Sequence, residues 1–356
     1  MPDRSKTRQV KIGDVTIGGG APVRIQSMCT TATHDVEATV AEIQQLAEAG
    51  CEIIRVACPT ERDAKALGAI RSRIRIPLVA DIHFNYRLAL IALDQGIDKL
   101  RLNPGNIGAR DRIEAVVRKA KERKVPIRIG VNSGSLEKDL LEKYKHPVPE
   151  ALMESAQRHV GILEELDFHD IVISLKASDV PLMVAAYRLA SKAFDYPLHL
   201  GVTEAGTLMR GSVYNAIGIG ALLQEGIGDT IRVSLSAPSI EEVKVARLIL
   251  EAVGLRQFGP RVIACPSCGR AEVDVFELAD QVETRAMKLK EPVTISVMGC
   301  VVNGPGEAHE SDFGITGGKE KGMIYVDGKQ QRVVPEEKLV DELFREIEKG
   351  KNAGHS

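Results

Sequence analysis

Lys99-Leu100-Arg101-Leu102-Asn103, then the charged run Arg110–Arg123, then Pro126-Ile127-Arg128-Ile129-Gly130-Val131: this stretch decides the fold. Its two flanking runs are short and rich in Ile, Leu and Val, as strands buried on both faces are. The segment between them is amphipathic and reads as a helix. Strand, helix, strand implies parallel pairing through a crossover connection. The same unit recurs along the chain. Val23–Met28, Glu52–Ala57, Pro77–Ile82, Asp170–Leu175, Pro197–Val202 and Thr230–Leu235 are the other strand candidates, and Glu37–Ala49 is another helix. Eight units in ~235 residues fit a (β/α)8 TIM barrel better than an open doubly wound sheet. No Gly-x-Gly-x-x-Gly follows the first strand, which weakens a dinucleotide reading.

The repetition stops near Gly254, and Leu255–Pro260 reads as a linker. Beyond it lie strand candidates Arg261–Ala264, Val293–Met298 and Met323–Val326. The helix candidates there are Asp274–Leu289 and Pro335–Lys349, the latter opened by its proline. The expected architecture is α/β: a barrel over 1–255 and a smaller α+β domain over 256–356.

Composition excludes several functions. The 356 residues carry 47 Lys+Arg against 49 Asp+Glu, a formal charge of −2, so no bulk basic field argues for nucleic acid. Tryptophan is absent, with six Tyr and seven Phe, so stacking platforms for bases are not expected. No run approaches the ~18 apolar residues of a membrane span, and the N-terminal residues do not read as a secretory signal. A cytoplasmic protein with reduced thiols is expected. Six cysteines in such a chain do not make a disulfide scaffold. Cys29, Cys51 and Cys58 read as small buried hydrophobes, Cys58 being the one at the end of a strand near the barrel mouth.

Several strand candidates carry a cation toward their C-terminal end: Arg55, Arg101, Arg128, Lys176 and Arg232. Charge inside a buried strand is costly unless paired or used. Barrel active sites lie at the C-terminal ends of the strands, and arginine suits bidentate phosphate contacts. Convergence on one phosphorylated or diphosphorylated small molecule is therefore expected. The structural alternative is pairing with Asp81, Glu204 and Asp229. Asp81, His83, Asn103, Asn132, His199, Thr203 and Glu204 fall at the same level. A helix starting near Gly211-Ser212 would add an anion-binding N-terminus.

The late cysteines lie in Cys265-Pro-Ser-Cys268-Gly and in Gly299-Cys300-Val-Val-Asn-Gly-Pro-Gly-Glu307. Cys-x-x-Cys alone is ambiguous among zinc, iron–sulfur and a redox dithiol. A second pair, usual for structural zinc, is missing. Three thiolates leave a fourth position, for which Glu307 and His309 compete.

The motifs Gln26-Ser-Met28, Ala80-Asp-Ile-His83, Arg101–Gly108, Arg128–Leu136, His199–Gly206, Gly226–Ser234, the Cys-x-x-Cys and Met298–Ala308 occur in one order. Through nearly its whole length the sequence resembles the bacterial 4-hydroxy-3-methylbut-2-enyl diphosphate synthases of the non-mevalonate isoprenoid pathway. No motif position departs from the pattern, and the long insert of plant-type relatives is absent. The resemblance implies a [4Fe–4S] cluster bound by Cys265, Cys268 and Cys300, with Glu307 on the fourth iron. It implies 2-C-methyl-D-erythritol 2,4-cyclodiphosphate as substrate, held by Arg55, Arg101, Arg128, Lys176, Arg232 and Ser234. His83, Asn132 and Glu204 would line the pocket, with Glu204 as the acid–base group. Electrons would come from flavodoxin or ferredoxin. A head-to-tail homodimer is implied, one chain's cluster domain closing over the other chain's barrel. Two other readings remain open on the residues alone. One is a zinc-stabilised barrel aldolase with Lys176 as a Schiff-base lysine. The other is a non-catalytic electron carrier.

Overall fold

The computed structural model describes residues 3–352 apart from Phe84, Lys290, Val301 and Asn303. It divides into two compact units, Met1–Arg256 and Gln257–Ser356.

In the first unit a short hairpin, β1 (Val10–Ile12) and β2 (Val15–Ile17), precedes eight parallel strands. These are β3 (Arg24–Met28), β4 (Ile53–Ala57), β5 (Leu78–Asp81), β6 (Lys99–Leu102), β7 (Ile127–Asn132), β8 (Ile171–Lys176), β9 (His199–Leu200) and β10 (Thr230–Ile231). They run in the order β8-β7-β6-β5-β4-β3-β10-β9. A parallel bridge between Ile173 and Leu198 closes the ring. Helices separate successive strands, and local chemistry fixes where several begin. Asp35, Asn85 and Asp179 accept backbone N–H groups at their helix starts, and Thr60 with Asp63 forms a reciprocal capping box. These observations give the TIM barrel read from the sequence.

Alternation along each strand sorts the side chains. Ile54, Val56, Leu100, Leu102, Ile127, Ile129, Ile173 and Leu175 are buried on the helix-facing side. At the N-terminal end the interior is apolar: Ile53, Val79 and Val172 pack with Val10, Ile12 and Ile17 of the hairpin. The hairpin thus stoppers that end. Gly13 makes its turn with φ of +59°, and a Cβ there would lie 2.8 Å from the Asp98 carboxylate.

The sequence reading missed this hairpin, whose strands are only three residues long. It also made β9 and β10 too long. Their ladders end after Leu200 and Ile231, where the chain turns outward to form the rim. The following helix starts at Leu208, a turn before the expected Gly211-Ser212.

The second unit is a five-stranded sheet: β11 (Arg261–Ala264), β12 (Thr294–Met298), β13 (Phe313–Gly318), β14 (Lys321–Val326) and β15 (Lys329–Pro335). The first three run parallel and the last two add antiparallel. Helices Val275–Ala286 and Leu339–Asn352 supply Leu278, Val282, Leu343 and Phe344 to a core with Ile295, Val297, Ile315 and Ile324. The sequence reading missed β13 and β15. The first is Gly-rich and the second is a mostly polar edge strand. Pro335 ends β15 rather than opening a helix, which begins at Leu339 after a short 3-10 turn.

Candidate active site

Above its apolar floor the barrel interior becomes polar and cationic. One layer holds Gln26, Lys99, Arg128, Ser174, His199 and Thr230, all essentially without solvent contact. The layer above holds Arg55, Asp81, Arg101 and Lys176, with Arg232 at the rim. Most barrels fill such layers with branched aliphatic side chains.

The hydrogen bonds of the lower layer are few and largely neutral. Lys99 Nζ donates to Gln26 Oε1 at 3.0 Å. Arg128 Nη1 donates to Ser174 Oγ at 2.7 Å. His199 Nδ1 lies 2.8 Å from Thr230 Oγ1. Arg128 Nε and Nη2, His199 Nε2 and Arg101 Nε are buried without a hydrogen-bond partner among the described residues. Orphaned buried donors are costly, and here they share one interior.

Carboxylates offset only part of the charge. Asp81 receives Arg101 Nη1 at 3.0 Å and lies 3.6 Å from Arg55 Nε. Glu242, from the helix after β10, lies 3.3 Å from Arg232 and also accepts from Ser27 Oγ and the Leu235 N–H. Burial would raise Asp81, but Arg55, His83 and Arg101 hold it well below the usual carboxylate range. Burial lowers Arg55 to about 10. Burial first, then neighbouring cations, lower Arg128, Lys176, Lys99 and His199 well below their ordinary values.

Two glycines make room for these side chains. A Cβ on Gly130 would lie 2.6 Å from Arg101 Nε, and one on Gly201 would lie 2.9 Å from Lys176 Nζ. The rim opens into a pocket lined by Thr203, Glu204, Gly206, Arg232, Ser234 and Glu242. Glu204 is exposed, with φ of +54°, a left-handed conformation that costs a non-glycine residue about 1–3 kcal/mol and often marks functional sites. Asn132 is in register with Lys176 on the adjacent strand, and the His83 ring nitrogens lie 3.0 and 3.2 Å from Arg101 Nη1.

In the second unit, Cys265 follows β11, Cys300 comes two residues after β12, and these strands are adjacent and parallel. Cys268 lies on the turn between, its carbonyl accepting the Ala271 N–H. The backbone therefore brings the three cysteines to the C-terminal ends of neighbouring strands. All three thiols are free. Among the described residues, no three His, Cys, Asp or Glu side chains converge on one metal position. The donor chemistry nevertheless suits an iron–sulfur group. The Gly299 N–H donates to Cys265 Sγ at 3.3 Å. The Arg270 backbone N–H and guanidinium pull the Cys268 thiol down toward thiolate. Glu307 is exposed on the short helix Gly304–His309.

Residues 7–247 match the GcpE TIM-barrel domain, and residues 261–349 match the GcpE protein C-terminal domain. The chain belongs to the GcpE family. A relative from Geobacillus thermodenitrificans (strain NG80-2) is 59% identical over 97% of this chain and 92% of its own. One from Bacillus subtilis (strain 168) is 58% identical over 97% and 92%. Both are named 4-hydroxy-3-methylbut-2-en-1-yl diphosphate synthase (flavodoxin). Among solved structures, dihydropteroate synthase from Stenotrophomonas maltophilia resembles it with a TM-score of 0.50 at 13% identity. That match covers 68% of this chain and 98% of the other, and it speaks to the barrel fold alone.

In this GcpE-family barrel, Arg55, Arg101 and Lys176 share the upper layer with Arg128 in the layer beneath, while Arg232, Ser234 and Glu204 line the rim pocket. The proposed structural pairings hold only in part. Asp81 does neutralise arginines. Glu204 has no ion pair among the described residues. Asp229 sits at the opposite end of its strand, accepting the Leu198 N–H and the Thr7 hydroxyl. His199 lies a layer below the mouth, not at its level. Sequence reasoning missed Glu242, although an acidic pair opening the helix after β10 was a signal for it. It also passed over Lys99, which period-two alternation places on the same face as Arg101.

Asp81 supplies a testable dependence. Its folded value lies below the ordinary ~3.9, so its contribution is present above about pH 4 and is lost as pH falls through the folded value. Asp81→Asn should lower stability at pH 7 by about 3–5 kcal/mol, because two buried arginines lose their counter-ion. Denaturant titrations should show the difference narrowing below about pH 4. Equal stability at pH 7 would refute the pairing role.

Proposed function

We propose that this chain reductively opens 2-C-methyl-D-erythritol 2,4-cyclodiphosphate to 4-hydroxy-3-methylbut-2-enyl diphosphate. The observation that carries the reading is the excess of buried cations at the barrel mouth, together with the names of the relatives. Region 1–255 would bind substrate and region 256–356 would carry the redox group. Cys265, Cys268 and Cys300, with Glu307 as a weaker fourth ligand, would hold a [4Fe–4S] cluster. When bound, such a cluster supplies single electrons and a Lewis-acidic iron. Reduced flavodoxin is the proposed donor, in line with the relatives' names.

The cyclic dianion consumes two electrons and one proton, loses one water, and leaves as an open trianion. The diphosphate gains a negative charge as its ring C–O bond breaks. Arg55, Arg101, Arg128, Lys176 and Arg232, with the Ser234 hydroxyl, would bind it. Their incomplete neutralisation by Asp81 and Glu242 leaves positive potential for the charge that develops. Glu204, Asn132 and His83 would line the same pocket. Glu204 would donate the proton to the departing hydroxyl, since it stands at the rim free of an arginine partner among the described residues.

Anaerobically purified protein should contain about four irons and four sulfides per chain. With reduced flavodoxin it should convert the cyclic diphosphate to the open allylic diphosphate. Stoichiometric zinc, or no turnover by iron-loaded protein, would overturn the reading. Glu204→Gln should lower kcat about 10²–10⁴-fold with little change in KM. An unchanged kcat would remove the acid role.

We also propose a head-to-tail homodimer. The helix Leu208–Gln224 carries Met209, Val213 and Ile217 exposed at four-residue spacing, an apolar stripe that supports association. Sedimentation of the anaerobic protein should give twice the 38.6 kDa chain mass. A single-chain mass would exclude the dimer.

A further inference from the structure

We propose that Lys99 is a positioning residue that takes up a proton when a diphosphate seats at the barrel mouth. The inference rests on the reading of the mouth given above and adds a residue that would not touch the ligand. Lys99 lies on β6 two residues before Arg101, one layer below it, and is fully buried. Among the described residues, the one hydrogen bond of its side chain goes to the neutral Gln26 Oε1 on β3.

Charged and titratable groups stand on the strands around it, and Arg128 and Arg55 act on it most directly. Arg55 comes from β4, Asp81 from β5, Arg101 from β6, Arg128 from β7, Lys176 from β8 and His199 from β9, and Arg232 directly follows β10. Glu242 and Glu204 stand at the rim. Asp81 is engaged by Arg101 and Arg55, and Glu242 by Arg232. Below Lys99 lies the apolar floor. Among the described residues, an ammonium at this position therefore has buried cations around it and no carboxylate of its own. Burial, then Arg128 and Arg55, press it to release its proton. Guanidinium groups hold their protons far more strongly than amines, so the amine gives way first.

A diphosphate above this layer reverses the balance. Its negative charge offsets the repulsion from Arg55 and Arg128, and a proton from solvent binds Lys99 Nζ. Charging Lys99 only in the occupied state lets the empty barrel carry less uncompensated charge. Binding and protonation are then linked, and affinity falls as pH rises.

The test is calorimetric titration of cluster-loaded, full-length protein with 2-C-methyl-D-erythritol 2,4-cyclodiphosphate, without reductant, at pH 8. Its phosphoryl groups are strongly acidic and do not titrate there. Heats compared in Tris and HEPES, which differ in ionisation enthalpy, count the protons exchanged. The native protein should take up protons, and Lys99→Met should take up about one fewer. Its affinity should also vary less between pH 7 and pH 9. Lys99→Gln, which keeps a polar partner for Gln26, should behave the same way and covers a folding failure of the methionine variant. No uptake by the native protein, or equal uptake by native and variants, overturns the proposal while leaving turnover untouched. Absence of binding in either buffer overturns the reading of the mouth as well.

Discussion

Uncompensated positive charge inside a closed barrel is the constraint on which the rest of this structure depends. Arg128, Arg101, Arg55 and Lys176 are buried, and among the described residues the carboxylate in their midst is Asp81. Removing ions from water costs several kcal/mol each, and a single counter-ion cannot offset all of them. The stability of the fold must therefore come from elsewhere. It comes from the helix-facing sides of the strands, which are largely aliphatic, and from the hairpin that seals the floor with Val10, Ile12 and Ile17. The interior is consequently free to be unfavourable to itself and favourable to an anion.

The same constraint explains details that would otherwise look arbitrary. Gly130 and Gly201 face the interior because long cationic side chains already occupy the space a Cβ would need. Glu242 reaches from a helix, not a strand, and ties Arg232, Ser27 and the Leu235 N–H together at the rim. A helix-borne carboxylate fixes the rim and still acts from there on Arg55 and Lys176 in the interior.

Much of this was legible in the sequence because a barrel strand advertises itself twice. Its outward face gives the apolar run, and its inward face gives the odd residue that interrupts it. Arg101 and Arg128 were visible on those grounds. Lys99 escaped because it sits at a strand start, where a charge ordinarily marks the turn before the strand. His199 was placed a layer too high, since spacing along the chain does not report depth when adjacent strands are staggered. The β1–β2 hairpin escaped because three-residue strands carry too little alternation to register. In the second unit, β13 has its glycines where β14 and the Ser296 side chain come close, and glycines in sequence read as a loop.

Both units place their proposed sites at the same kind of location. In the barrel it is the C-terminal end of eight parallel strands. In the second unit it is the C-terminal ends of β11 and β12, which are also parallel. Parallel strands deliver their chain ends in one direction, and the segments that follow must turn back. At those turns backbone N–H groups leave the ladder and become available to anionic partners. The Gly299 N–H already points at a cysteine sulfur, and the Arg270 N–H at Cys268. The proposed thiolate-bound cluster and the proposed diphosphate are both anionic, so one backbone device would suit both. The units differ in what reinforces it: guanidinium and ammonium groups in the barrel, and a turn that draws cysteines toward thiolate in the smaller unit.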